Sequence, residues 1–160
     1  QQLTTHHPEL RERLAVMILG GHAEEVAPAF DIPVYPLGYV NDVQRIVKVY
    51  NAADVFVLPS LSENLPNTIM EAMACGIPCL GFKVGGVPEM IDHRRTGYVA
   101  QYMNVCDLVA GLYWLLTDAD RPSLATAARE KVCREYSQDV VALRYNEVYN
   151  EAIALKHYKL

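Results

Sequence analysis

The chain has 160 residues, of which 51% are apolar and 21% are charged, and its formal net charge is −5. This length fits a single core, so we expect residues 1–160 to form one domain. The composition excludes a disordered chain, and no apolar run reaches the ~20 residues that a membrane-spanning helix needs. Because the balance is acidic and the Lys and Arg residues are scattered, a nucleic-acid partner is not expected.

The cysteines and the first residues indicate the cellular compartment of the protein and whether the sequence is part of a longer chain. The four cysteines form no CxxC pair, so we expect reduced thiols and no zinc site. Residues 1–12 are polar and lack a signal-peptide pattern, so we expect a cytoplasmic protein, or a parent that is peripheral at the inner face of the membrane. Since the sequence starts at Gln1 rather than at Met, we expect a piece of a longer chain.

The apolar pattern predicts alternating strands and helices. Short apolar runs closed by Gly or Pro predict strands over residues 14–19, 34–37, 54–58, 79–82 and 97–100. Helical spacing, with Asn41 and Asp42 available to cap the first helix, predicts helices over residues 43–50, 67–75, 87–91, 105–116, 122–136 and 139–157.

This alternation predicts an α/β fold with a helical C-terminal tail. Continuous apolar strands are typical of parallel pairing with helices on both faces, and right-handed crossovers then give a doubly wound, Rossmann-like sheet. Such sheets bind ligands at the carboxyl ends of their strands. We therefore expect chemistry in the loops after Leu19, Leu37, Leu58 and Phe82.

The segment from Ser60 to Pro78 is the most informative of these regions. It leads into a helix that starts near Asn67, and the first turn of such a helix has unpaired N–H groups and a partial positive charge that attract phosphate. Glu63 precedes this helix start, and Glu71 lies one turn into the helix. Carboxylates repel phosphate but accept hydrogen bonds from sugar or ribose hydroxyls, so the pattern is typical of a nucleotide-sugar site.

A purely structural interpretation of the same residues stays open on spacing alone. Glu63 is equally a solvated loop charge and Glu71 a surface helix residue, since glutamates are mostly exposed. Asn67 is equally a helix N-cap, and Gly76 a C-cap.

The order of motifs resembles the group 1 family of retaining glycosyltransferases. Two glutamates separated by seven residues are followed by Ala-Met-Ala-x-Gly-x-Pro and Gly-Gly-x-x-Glu runs, here at residues 63–71, 72–78 and 85–89. Further landmarks follow the family order over residues 8–150, namely Gly20-Gly21, Leu37-Gly38-Tyr39-Val40, residues 53–60 and Thr96-Gly97-Tyr98-Val99.

The resemblance implies that the chain is the C-terminal, donor-binding half of a two-domain enzyme, and that the parent's own N-terminal domain binds the acceptor. The donor is a UDP- or GDP-sugar, neither a metal ion nor a further cofactor is expected, and transfer of the hexosyl group retains the anomeric configuration. By the same resemblance, Glu71 holds the ribose hydroxyls, and Glu63 contacts the transferred sugar and stabilises the transition state.

The resemblance also implies the other donor contacts. Backbone N–H groups of the segment Asn64 to Asn67, including that of Leu65, meet the distal phosphate. The turn of Gly38, Tyr39 and Val40 lines the base pocket, and Gly20 and Gly21 allow close approach of the nucleotide.

Two departures from the family pattern affect these contacts. Pro66 has no N–H to offer, so its neighbours must supply the phosphate contacts. The family's Arg and Lys that grip the diphosphate lie upstream of the first helix and are not in this chain, and Lys83 is either a partial substitute or a plain surface lysine. We therefore expect weak donor binding and no transfer by this chain alone.

The sequence is compatible with two alternative functions and with several donors and acceptors. A non-catalytic nucleotide-binding domain and a flavodoxin-like interaction domain are the alternatives to the transferase half. The base, the sugar and the acceptor (a polysaccharide, a lipid-linked oligosaccharide or a small molecule) are not fixed by the sequence. In the family the last helix crosses to the other domain, so we expect its apolar face to be exposed here and to favour self-association.

Overall fold

The fold contains five short parallel strands. The computed structural model describes residues 1–157. The strands are β1 Val16–Leu19, β2 Val34–Gly38, β3 Phe56–Leu58, β4 Cys79–Phe82 and β5 Gly97–Ala100. The helices are α1 Gln2–His6, α2 Ala23–Val26, α3 Val43–Asn51, α4 Asn67–Ala74, α5 Val87–Met90, α6 Val105–Thr117, α7 Arg121–Glu135 and α8 Gln138–His157, with 3-10 turns at Pro8–Arg13 and Ala27–Ala29. The predicted α/β fold with a helical tail is confirmed.

The strands pair in two parallel groups. β1 pairs with β2, and β4 lies between β3 and β5. Phe56 is opposite Cys79, and Cys79 is opposite Gly97. Within residues 1–157, no strand pairing joins the β1–β2 group to the other three strands. All of the pairing is parallel, as the apolar strand pattern predicts, and the carboxyl ends of the strands in each group therefore share one edge.

The two faces of β4 explain why every residue of that strand is apolar or glycine. On one face Cys79 packs in a core with Ile69 and Met73 of α4. On the other face Leu80 and Phe82 pack with Leu115 of α6 in a second core. All four residues of β4 are buried, so this strand cannot show the polar alternation of a one-sided sheet.

Polar caps set the starts of the longer helices. The Asp42 side chain accepts a hydrogen bond from the backbone N–H of Gln44 at 2.8 Å and caps the N-terminus of α3. Asn104 accepts from the N–H of Asp107 at 3.0 Å and opens α6 in the same way. The predicted cap of the first long helix is thus confirmed at Asp42.

The first helix, α1, and the 3-10 turn that follows it were not predicted from the sequence. α1 is only five residues long, too short to show helical periodicity, yet it buries Leu3. The imidazole of His7 stacks on the ring of Tyr113 in α6, with the ring centroids 3.8 Å apart. The polar opening segment therefore packs against the body of the fold.

The C-terminal helix α8 is mostly exposed. Each residue from 142 to 155 is exposed, including Tyr145 and Tyr149 at 59% and 60%. The expectation of an exposed apolar face on the last helix agrees with this arrangement. No helix in the described part of the chain is both long and apolar enough to cross a membrane.

Candidate functional site at the carboxyl edge

The loop after β3 and the loop after β4 lie directly against each other. The N–H of Gly86 donates to the carbonyl oxygen of Asn64 at 2.6 Å. A Cβ at Gly85 would overlap the carbonyl oxygen of Glu63, and a Cβ at Gly86 would lie 2.5 Å from that of Asn64. Gly85 also has a φ of +50°, which side-chain-bearing residues rarely adopt. Because both residues are glycines, the loop that carries Glu63 can pack directly against the start of α5.

Glu63 is half-buried in this contact. Among the described residues, no hydrogen bond uses its carboxylate, which leaves both oxygens available as acceptors. The hydroxyl of Tyr102, in the loop after β5, donates to the carbonyl oxygen of Leu61 at 3.1 Å. Loops from all three strands of the larger group thus converge around Glu63.

The start of α4 lies in the same loop region. Pro66 occupies the N-cap position and makes no side-chain cap, and Asn67 is the first helical residue. The alternative of Asn67 as the N-cap is therefore wrong, because the chain enters the helix one residue earlier. The N–H of Ile69 donates to the Pro66 carbonyl at 3.1 Å, whereas those of Asn67 and Thr68 precede the helical ladder. These two N–H groups and the helix dipole favour an anion at this point.

Glu71 lies one turn into α4 and is exposed. The hydroxyl of Tyr50, from α3, donates to its Oε2 at 3.0 Å. Burial, and then the negative charge of Glu71, raises the pKa of Tyr50 above its ordinary value, so the phenol stays protonated and remains a donor. The hydrogen bond therefore joins a fixed neutral donor to an accessible carboxylate.

A second cluster of predicted residues forms where β1 and β2 end. The N–H of Gly20 donates to the carbonyl oxygen of Gly38 at 2.8 Å, and both glycines have positive φ. The phenol of Tyr39 covers Gly21, where a Cβ would lie 2.8 Å from the tyrosine oxygen. Tyr39 is 82% exposed and offers an aromatic surface, and Val40 beside it is half-buried.

The structure thus forms two clusters from the predicted site residues. Glu63, Asn64, Leu65, Asn67 and Glu71 share the β3–α4 region, whereas Gly20, Gly21, Gly38, Tyr39 and Val40 share the ends of β1 and β2. Lys83 follows β4 and is exposed. Tyr50 and Tyr102 were not among the predicted site residues, because neither lies in one of the motifs.

Within the described part of the chain, no group of three or more His, Cys, Asp or Glu side chains is placed to hold a metal ion. Cys75, Cys79, Cys106 and Cys133 are free thiols.

Parallel strands with flanking helices, glycine turns and a helix start at the carboxyl edge define a Rossmann-like α/β domain. The family model of the group 1 glycosyl transferases matches residues 1–118. The chain belongs to the group 1 glycosyltransferase family.

Curated relatives are longer than this chain. The N-acetyl-alpha-D-glucosaminyl L-malate synthase of Bacillus anthracis is 28% identical over 116 residues, which are 72% of this chain and 30% of that protein. The D-inositol 3-phosphate glycosyltransferase of Saccharomonospora viridis is 32% identical over 167 residues, 95% of this chain and 38% of that protein. The chain thus spans about a third of the length of these relatives.

Solved structures share the fold. The sucrose-phosphate synthase of Thermosynechococcus elongatus superposes with a TM-score of 0.73 at 26% identity, over 84% of this chain and 34% of that one. Anabaena Alr3699/HepE, in complex with UDP and glucose, superposes with a TM-score of 0.71 at 18% identity, over 95% of this chain and 44% of that one.

Proposed function

We propose that this chain is the donor-binding half of a retaining glycosyltransferase, which binds a nucleotide-diphosphate sugar for hexosyl transfer to an acceptor held by an N-terminal domain. The observation that carries the proposal is that Glu63, the uncapped start of α4 and Glu71 follow one another in the loop and the first turns of the helix after β3. That grouping offers an anion site between two hydroxyl acceptors. HepE, a structural neighbour, has UDP and glucose bound.

The diphosphate belongs at the start of α4 in this proposal. The N–H groups of Asn67 and Thr68 lie ahead of the helical ladder, and those of Asn64 and Leu65 precede them in the same loop. Charge develops on the leaving phosphate during glycosyl transfer, so fixed N–H donors there stabilise the transition state. This assignment requires no metal ion.

The two carboxylates take the hydroxyl groups of the donor. Glu71 is exposed, one turn beyond the phosphate site, and suits the ribose hydroxyls. Glu63 is half-buried where three loops converge, and its free carboxylate suits the transferred sugar. An ionised acceptor makes a stronger hydrogen bond with a hydroxyl than a neutral one does.

The base site is proposed at the ends of β1 and β2. Gly20 leaves open space where a side chain would lie, and Tyr39, which packs over Gly21, offers an exposed aromatic ring there. The turn of Gly38, Tyr39 and Val40 would line the base, as the family resemblance implies.

The two-domain parent also accounts for the divided strands. The two groups have the orders β1-β2 and β3-β4-β5. A doubly wound sheet has six strands in the spatial order 3-2-1-4-5-6, and we assign β2 and β1 to its strands 3 and 2, and β3, β4 and β5 to its strands 4, 5 and 6. We infer that a strand from elsewhere in the parent occupies position 1, between β1 and β3. The proposed partner of this chain is the parent's own N-terminal domain. The parent is proposed to be a cytoplasmic enzyme that is soluble or peripheral at the membrane.

The first test is calorimetric titration of the chain with UDP, GDP and ADP. We expect saturable, weak binding of one nucleotide and no glycosyl transfer, because the acceptor half that orients the reactants is needed for rate. Glu71→Ala should weaken that binding at least about tenfold, which is ~1.4 kcal/mol and close to the lower end of the range for hydrogen bonds to a charged group.

Glu130→Ala is the matched control, because Glu130 is an exposed glutamate on α7. Its affinity should equal that of the unchanged chain. Indifference to all three nucleotides at millimolar concentration would contradict the proposal and favour a flavodoxin-like interaction domain.

A further inference from the structure

A buried tyrosine presents its hydroxyl to an exposed carboxylate. Tyr50 is 3% exposed, and its hydroxyl lies 3.0 Å from Oε2 of Glu71. Its ring makes an edge-to-face contact with that of Phe56, with the centroids 5.6 Å apart, and it packs in the core that contains Ile69 and Met73. Because the ring is held on several sides, its hydroxyl is a donor at a fixed position.

A fixed donor changes what the carboxylate can do. An exposed glutamate on a helix samples many rotamers, and ordering it on binding costs side-chain conformational entropy. The hydrogen bond from Tyr50 selects one rotamer before any ligand arrives. A carboxylate has about four lone-pair sites, so Oε1 and the second lone pair of Oε2 remain free after this bond forms. Those sites suit two adjacent hydroxyls.

We propose that Tyr50 is a positioning residue that orients Glu71 to accept hydrogen bonds from the vicinal ribose hydroxyls of the donor nucleotide. The inference rests on the proposed function of Glu71. Among the described residues, Glu71 is the only hydrogen-bond partner of the Tyr50 hydroxyl, so Tyr50 acts through that carboxylate.

The competing explanation is that the bond merely joins α3 to α4. A buried phenol needs an acceptor, and Glu71 supplies one whatever the ligand. The two explanations differ in their dependence on the ligand. A positioning role affects ligands that carry ribose hydroxyls, whereas a purely structural role affects all nucleotides alike.

The test compares UDP with 2′,3′-dideoxy-UDP by chemical-shift titration of the chain and of Tyr50→Phe. If calorimetry selects GDP or ADP, the guanosine or adenosine pair replaces these ligands. The unchanged chain should bind UDP more tightly than the dideoxy analogue. Tyr50→Phe should weaken UDP binding about three- to tenfold and change affinity for the analogue less than twofold.

Tyr98→Phe is the matched control, since Tyr98 is also buried and its hydroxyl donates to a carboxylate oxygen of Asp107 at 2.7 Å. It should leave both affinities unchanged. In a Glu71→Ala background, Tyr50→Phe should produce no further loss of UDP affinity. Thermal unfolding checks that each variant is folded.

Three results would contradict the positioning role of Tyr50. An unchanged affinity of Tyr50→Phe for UDP, or equal losses for UDP and the analogue, overturns the positioning role and leaves the proposed function standing. If the unchanged chain does not distinguish UDP from the dideoxy analogue, the ribose role of Glu71 fails, and the positioning role fails with it.

Discussion

At the scale of single residues, Gly85 and Gly86 decide where Glu63 lies. A methyl group at Gly85 would overlap the Glu63 carbonyl, and Gly86 donates a hydrogen bond to the next carbonyl at 2.6 Å. The Gly-Gly run and the first glutamate are far apart in sequence. Their contact gives a physical reason for both motifs to occur in one chain.

The role proposed for Glu63 is tested in the longer enzyme of which we propose this chain is the donor-binding half. Glu63→Ala should lower turnover about 100-fold or more, the loss typical of removing a group that stabilises the transition state, while nucleotide affinity stays within about threefold. Gly85→Ala should have the same pattern, because an added Cβ displaces the Glu63 backbone. Steady-state kinetics and nucleotide titration measure the two quantities. Equal losses in turnover and affinity would contradict the role of Glu63.

At the scale of elements, a buried lysine connects α7 to the short helix α5. Lys131 is 6% exposed, and its Nζ donates to the Glu89 carbonyl and to Oδ1 of Asp92, each at 2.6 Å. Gly86, just before α5, contacts the loop that carries Glu63. The four-residue helix α5 therefore lies between the residues that Lys131 contacts and the loop that carries Glu63.

We expect Lys131→Met to lower the free energy of unfolding by about 2 kcal/mol, because two hydrogen bonds from a buried charge are lost. Asp92 is 39% exposed, so water solvates its carboxylate and keeps the loss below that of a fully buried pair. Urea unfolding measures the change. Lys48→Met, at an exposed lysine of α3, should cost no more than about 0.5 kcal/mol. Equal effects of the two substitutions would exclude a stabilising role for the buried contact.

At the scale of the whole molecule, α8 presents an apolar surface with no covering element among the described residues. Tyr145, Val148, Ala152 and Leu155 recur at spacings of three, four and three, which place them along one stripe of a helix. Tyr145, Val148 and Leu155 are 59%, 60% and 68% exposed. Exposed apolar area of this kind favours association.

We expect the isolated chain to self-associate through this stripe at high concentration, as sedimentation equilibrium would measure. Val148→Glu should weaken association about tenfold or more, because it places a charge in the contact. Asn146→Glu, on the same helix but off the stripe, should leave association unchanged. A chain that stays monomeric at several hundred micromolar would contradict this expectation.

Much of the fold was predictable from local patterns. Strands over residues 79–82 and 97–100 agree with β4 and β5, and the remaining predicted elements differ from the observed ones only near their ends. Burial on two faces requires apolar residues throughout β4, and a sequence displays that requirement directly. α1 was missed because five residues carry no periodic signal.

The sequence by itself determined the α/β class, the order of strands and helices, and the family, because periodicity and motif spacing are local properties of the chain. Only the tertiary structure decided that Gly85 seats Glu63 and that Tyr50 holds Glu71, residues 21 positions apart. Such contacts arise where different strands, helices and loops pack against one another. They depend on packing between elements, and local spacing does not record that packing.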